Sequence, residues 1–197
     1  MNAAQTALFD QLSAGNQRFC IGQSRAHEHS LEARLEAASG KRKAHIVILG
    51  CVDGRVPPEL VFDLELGQAF VLRTPGGIID AGSAAALELA ALELKPKLMV
   101  VLGHGGCLAV QAALDGPGSN SPVLRPMLDK LEPCLEGLRG QHASPERTRK
   151  GVHAATRNAL AEARAQSPAL AELEASGAMT CLGAYYDLES GRVDWLE

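Results

Sequence analysis

The sequence predicts an α/β fold in which a mixed, centrally parallel β-sheet is flanked by helices on both faces. Two observations predict this class: short apolar runs rich in β-branched residues, and longer segments of helical periodicity between them. Apolar runs without alternating polar residues are typical of parallel strands that are covered on both faces. Strands that alternate with helices predict βαβ units, and a length of 197 residues suits one domain over residues 1–197.

Five segments are predicted to be strands. Three are apolar runs bounded by Gly or charge: AHIVILG at 44–50, AFVLR at 69–73 and LMVVLG at 98–103. A fourth strand, at 179–186, is followed by the turn sequence ESGR and by a short last strand at 193–196. Because ligands of parallel sheets bind outside the carboxyl ends of the strands, the residues after positions 50 and 103 are the first candidates for a site.

Four segments between these strands have the apolar spacing of helices. They cover residues 4–19, 83–94, 124–138 and 152–165, and Ser83 is the predicted N-cap of the second. Residues 116–122 and 140–150 are polar and rich in turn-forming residues, which predicts loops.

Composition excludes several classes of protein. A net charge of −4 without a basic block argues against non-specific binding of nucleic acid. No apolar run reaches the ~18 residues of a membrane helix, and the N-terminus lacks a basic region followed by an apolar one, which together predict a cytoplasmic protein. The five cysteines are odd in number and irregularly spaced. They are therefore predicted to be buried thiols, catalytic groups or metal ligands and not a disulfide framework.

Residues that bind metals follow two of the predicted strands. Cys51 leaves the first strand, and His104 and Cys107 leave the strand at 98–103, separated by two glycines that allow a tight turn. Two thiolates and one imidazole suit Zn²⁺. Three protein ligands leave the fourth tetrahedral position open, which is typical of a catalytic zinc site.

Asp53 and Arg55 follow Cys51 at alternate positions. If the segment stays extended, all three side chains point to one side, and Arg55 holds Asp53 ionised by a charge-assisted pair. An ionised Asp53 beside the metal has two possible uses: it accepts a proton from metal-bound water, or it binds the metal itself and closes the site.

These motifs resemble those of the β-class carbonic anhydrases, whose pattern is Cys-x-Asp-x-Arg followed by His-x-x-Cys. The resemblance covers most of the chain. Beyond CVDGR and HGGC, it includes GNQRF at 15–19, VPPE at 56–59 and GAYYDL at 183–188.

The resemblance implies a zinc enzyme that interconverts carbon dioxide and bicarbonate through zinc-bound hydroxide. By motif match, Cys51, His104 and Cys107 are its zinc ligands, and Asp53 and Arg55 are its catalytic pair. The resemblance also implies a homodimer or homotetramer, in which an N-terminal helical arm within residues 1–40 reaches across the partner.

Several positions around the predicted site depart from the family pattern, although Arg73 keeps the family's residue. They are Arg42 in place of a substrate-binding Gln, Ile48 in place of a Trp of some relatives, Gly54, Leu108 and the segment TPGG at 74–77. These departures leave three alternatives open: a slow anhydrase, a related zinc hydrolase acting on carbonyl sulfide or carbon disulfide, and an inactive relative.

Three hypotheses from other functional classes each account for part of these motifs. A phosphate-binding module would use the GHGG segment at 103–106, but the spacing of the phosphate-binding motifs is missing. A hydrolase with Cys107 as nucleophile and a histidine base would need no zinc. A zinc-binding scaffold would hold the metal without turnover. Zinc content and a turnover assay separate these readings.

Overall fold

The computed structural model describes residues 1–25, 31–40, 44–116 and 121–196. Arg42, one of the departures from the family pattern, and most of the predicted loop at 116–122 lie outside the described residues. Five strands are present: β1 (Ile46–Cys51), β2 (Ala69–Thr74), β3 (Leu98–His104), β4 (Thr180–Tyr186) and β5 (Val193–Leu196). Each lies within two residues of its predicted bounds, because the apolar runs that predict the strands are also the segments that the core buries.

The strands form one sheet in the order β2-β1-β3-β4-β5. The first four are parallel, and β5 runs antiparallel to β4. This confirms the mixed, centrally parallel sheet. β1 pairs with both β2 and β3, in a register that places Cys51 beside Thr74 and Gly50 beside Leu102. The carboxyl ends of β1 and β3 therefore lie next to each other at one edge of the sheet.

The helices are α1 (Ala3–Cys20), α2 (Leu31–Ala38), α3 (Pro58–Val61), α4 (Ala81–Leu89), α5 (Leu108–Asp115), α6 (Arg125–Leu135), α7 (Pro145–Gln166) and α8 (Pro168–Ala175). A π-helical segment, Ala90–Leu94, continues α4. Short 3-10 turns lie at Pro75–Gly77, Pro122–Leu124 and Glu136–Leu138. Each helix of the described residues is too short or too polar to cross a membrane.

Helices cover both faces of the sheet, as predicted. Ile46 and Ile48 of β1 point to one face, where they pack in a cluster with Leu12 of α1 and Phe62. Val47 and Leu49 point to the other face, where their cluster includes residues of α4, α7 and α8. Because side chains alternate along a strand, a run without polar residues is buried from both sides. Ile48 is part of this core and does not face the candidate site.

The helix predictions were wrong at two N-termini. Asp80 is the N-cap of α4: its carboxylate accepts from the Ser83 N–H at 2.7 Å, and the Ser83 hydroxyl accepts from the Asp80 N–H. Ser83 is therefore the reciprocal partner of a capping box and not the cap. α7 begins at Pro145, within the predicted loop at 140–150, and Ser144 caps it. The first turns of α7 are polar, so the sequence shows no apolar periodicity where the helix begins. Arg147 in these turns is nevertheless buried and donates to Leu138 O and Leu114 O.

Candidate metal centre

The three predicted metal ligands meet at the carboxyl ends of β1 and β3. Cys51 is the last residue of β1, His104 is the last residue of β3, and Cys107 is the N-cap of α5. All three are buried, and their ligand atoms lie within 4.8 Å of one another. The two sulfur atoms are 4.0 Å apart. The structure therefore brings together the whole predicted ligand set.

The imidazole of His104 is oriented by its neighbour. Its Nδ1 lies 2.9 Å from the carbonyl oxygen of Gly105, which can only accept, so Nδ1 carries the proton. The other nitrogen, Nε2, is buried and has no hydrogen-bond partner among the described residues. A buried imidazole nitrogen without a partner is expected where a cation binds, and a carbonyl on the second nitrogen is the usual way of orienting a histidine ligand.

The two thiols lie within hydrogen-bond distance of each other. This contact lowers the pKa of the Cys51 thiol well below its usual value, although burial opposes the shift. The same hydrogen bond, together with burial, raises the pKa of Cys107. The Gly76 N–H also points at the Cys51 sulfur, at 3.3 Å. The thiolate form of Cys51 is therefore favoured. The donor set of two sulfurs and one imidazole nitrogen is the set that Zn²⁺ prefers.

The glycines between His104 and Cys107 allow the turn that brings these ligands together. Gly106 has a φ of 62°, a conformation that favours glycine. A Cβ on Gly105 would lie 2.9 Å from the Tyr185 hydroxyl oxygen, so a side chain at this position would require that hydroxyl to move.

Asp53 and Arg55 form a bidentate pair beside the ligand cluster. Arg55 Nε lies 2.9 Å from Asp53 Oδ1, and Arg55 Nη2 lies 2.6 Å from Oδ2. The segment does not stay extended after Cys51, because the chain turns and the Val56 N–H donates to Asp53 O. The turn lets the Arg55 N–H donate to Asp53 Oδ1 as well. These bonds from Arg55 hold the pKa of Asp53 well below its usual range, so the carboxyl is ionised at neutral pH.

An open, mostly apolar cleft of about 980 Å³ leads to this cluster. Cys51, Asp53 and Arg55 line it on one side, and Leu108, Ala112, Leu124 and Met127 are among its apolar residues. Leu108 is 72 % exposed, so this departure from the family pattern lies at the rim and leaves the cleft open. Gly54 also lines the cleft, and a Cβ there would meet nothing within 4 Å among the described residues.

Two residues that touch the site were not among the predicted site residues. The Arg73 side chain binds the carbonyl oxygens of Cys51 and Asp53, and Gly76 supplies the N–H to the Cys51 sulfur. Both lie at the end of β2, and their contact with Cys51 depends on β2 pairing with β1. The sequence alone carries a single signal for Arg73, its match to the family pattern.

Comparisons with known proteins agree with this architecture. A family model described as "Carbonic anhydrase" matches residues 46–193. Carbonic anhydrase 2 of Mycobacterium tuberculosis is 34 % identical over 97 % of this chain and 92 % of its own length. The carbonic anhydrase of Mycolicibacterium smegmatis is also 34 % identical, over 98 % and 94 %.

Solved structures show the same fold. The β-carbonic anhydrase CafA of Aspergillus fumigatus superposes with a TM-score of 0.71 at 27 % identity, over 96 % of this chain and 91 % of that one. A β-carbonic anhydrase of Sordaria macrospora, from a study of two tetrameric enzymes, gives a TM-score of 0.74 at 23 % identity, over 96 % and 97 %. The sequence match, the fold and the Cys-His-Cys cluster together place this chain in the β-class carbonic anhydrase family.

Proposed function

We propose that the protein catalyses the reversible hydration of carbon dioxide to bicarbonate and a proton, with zinc held by Cys51, His104 and Cys107. The observation that carries the proposal is a buried Cys-His-Cys cluster beside an ionised aspartate, in a chain of the carbonic anhydrase family. Zinc bound there would lower the pKa of a coordinated water toward about 7, which supplies a nucleophile at neutral pH.

Asp53 and Arg55, beside the ligand cluster, have separate roles in the proposed reaction. Asp53 accepts a hydrogen bond from the reacting water and so orients it, and Arg55 keeps Asp53 ionised and in place. A second use of Asp53, as a fourth metal ligand that closes the site, is the alternative that stays open. The cleft is lined mostly by apolar side chains. Such a lining suits a small neutral substrate such as carbon dioxide, because it has few polar groups that would compete with the substrate for the charged residues.

The pH dependence of hydration tests the proposal. We expect the stopped-flow hydration rate of zinc-loaded protein to rise between about pH 6.5 and pH 9, as expected for a reacting water with a pKa near 7. Asp53 does not contribute to this rise, because its lowered pKa keeps it ionised throughout the range. Protein stripped of zinc by a chelator is the control and is expected to be inactive. One zinc per chain with no hydration at any pH would contradict the proposed reaction.

We also propose that the protein is a homodimer or homotetramer. The Sordaria macrospora study describes tetrameric enzymes. In this chain, the exposed apolar side chains of Val52 (53 %) and Leu108 (72 %) line the cleft, and Val123 (82 %) is exposed next to the cleft residue Leu124. Burying them in a subunit interface is favourable. Sedimentation at micromolar concentration is expected to give a mass of two or four chains, and a monomer would exclude the assembly.

We also propose that residues 1–197 form one domain. A single domain over residues 1–197, with residues 1–40 as an arm within it, is supported by Leu12 of α1, which is fully buried in the cluster of Ile46 and Phe62. The cytoplasmic location stays a prediction from the sequence.

A further inference from the structure

Arg73 connects the edge strand of the sheet to the segment that carries Cys51 and Asp53. It lies on β2, and its side chain reaches sideways to the end of β1. Its Nε donates to Cys51 O at 2.8 Å, and its Nη2 donates to Asp53 O at 2.5 Å. One guanidinium therefore holds the main chain at a candidate metal ligand and at the candidate catalytic carboxylate.

These carbonyl oxygens lie where the regular pairing of β1 with β2 ends. Cys51 and Thr74 are the last paired residues, and the Val52 N–H still donates to Thr74 O at 3.2 Å. In the turn that follows β2, the Gly76 N–H points to the Cys51 sulfur. The Asp53 carbonyl lies beyond the strand pairing and accepts from the Val56 N–H of its own turn and from the side chain of Arg73.

The planar shape of the guanidinium gives these two bonds a specific consequence. Its N–H groups have a fixed spacing, so both bonds form only when the two carbonyl oxygens lie at one separation. The chain between them is thereby held in its turn. Arg55 acts differently, because it binds the carboxylate of Asp53 and leaves the main chain at Cys51 unconstrained.

We propose that Arg73 is a positioning residue that sets the geometry of the Cys51–Asp53 segment, so that the Cys51 sulfur and the Asp53 carboxylate face the same point. The part of this proposal that concerns turnover rests on the proposed function. The part that concerns metal binding rests only on the ligand cluster and on the contacts of Arg73.

The experiment compares wild type with Arg73→Gln and Arg73→Lys in three measurements: zinc affinity by chelator competition, the visible spectrum of the cobalt-substituted protein, and kcat and KM for hydration. We expect Arg73→Gln to lower zinc affinity, kcat or both by about 10- to 100-fold, in the range of residues that orient metal ligands, and to alter the cobalt spectrum. KM is expected to stay unchanged. Arg73→Lys keeps the positive charge but loses the planar guanidinium with its fixed N–H spacing, so a loss of zinc affinity or kcat smaller than that of Arg73→Gln is expected.

The matched control is Arg164→Gln. Arg164 also forms two side-chain bonds, to Glu174 on α8, and it does not line the metal cleft. It is expected to match wild type in all three measurements.

Two results would overturn the proposal. One is wild-type zinc affinity, cobalt spectrum and kcat in Arg73→Gln, or in Arg73→Lys if the glutamine variant does not fold. The other is a rise in KM alone, which would assign Arg73 to substrate binding. If wild type binds zinc but does not hydrate carbon dioxide, the proposed function fails, and the zinc and cobalt measurements still decide the role of Arg73.

Discussion

Cys51→Ser is expected to remove both zinc and activity. Cys51 is buried at the end of β1, with its sulfur 4.0 Å from that of Cys107 and aimed at the same point as His104 Nε2. A serine hydroxyl does not ionise at neutral pH and is a poor ligand for zinc beside a thiolate and an imidazole. We expect a loss of more than about 10³-fold in kcat/KM, which corresponds to about 4 kcal/mol of transition-state stabilisation. His104→Ala is expected to have the same effect.

Zinc per chain, measured by elemental analysis, and the stopped-flow rate check this result together. Cys134→Ser is the matched control, because Cys134 is a partly buried thiol on α6 that donates to Leu131 O, outside the ligand cluster. It is expected to keep one zinc per chain and wild-type activity. If Cys51→Ser kept both its zinc and its turnover, Cys51 would not be a ligand.

Asp53→Ala is expected to keep the zinc and lose turnover. The carboxylate of Asp53 is held by Arg55 at 2.9 and 2.6 Å and lines the cleft beside Cys51. Removing a group that accepts or orients a proton in the reaction lowers rates by about 10²- to 10⁴-fold. The fold is expected to tolerate the change, because the Arg55 side chain left without its partner is 57 % exposed and remains solvated.

The measurement is kcat at matched zinc content, for Asp53→Ala and for Asp53→Asn, which keeps the shape and loses the charge. Asp129→Ala removes an exposed carboxylate on α6 that is also paired with an arginine, and is the control expected to behave as wild type. Normal turnover in both Asp53 variants would exclude the proposed role of the carboxylate. Loss of zinc in them would favour the alternative in which Asp53 is itself a ligand.

The sequence predicted the strands and the ligand cluster because both depend on local patterns. AHIVILG and LMVVLG are apolar throughout, and parallel strands place their carboxyl ends at one edge. Cys51, His104 and Cys107 follow those ends directly. Their meeting therefore required only that β1 and β3 be neighbours in the sheet, which they are.

What the sequence could not predict depends on contacts between distant elements or on competing local choices. Arg73 acts at the site only because β2 pairs with β1 in one register. Asp80 and Ser83 are both good capping residues, and their reciprocal bonds, not their types, decide which one is the cap. The start of α7 has no apolar periodicity, and it is held by Ser144 and by the buried bonds of Arg147.

The position of the ligands also links metal binding to folding. Cys51 and Cys107 are 56 residues apart in the chain, so the complete ligand set exists only after β1 and β3 have paired. Zinc that binds only the folded chain shifts the folding equilibrium, and each tenfold rise in free zinc above its Kd adds about 1.4 kcal/mol to the free energy of unfolding. For a chain of this size that corresponds to about 3–6 °C in Tm. The fraction of the protein that is folded therefore depends on the concentration of free zinc around it.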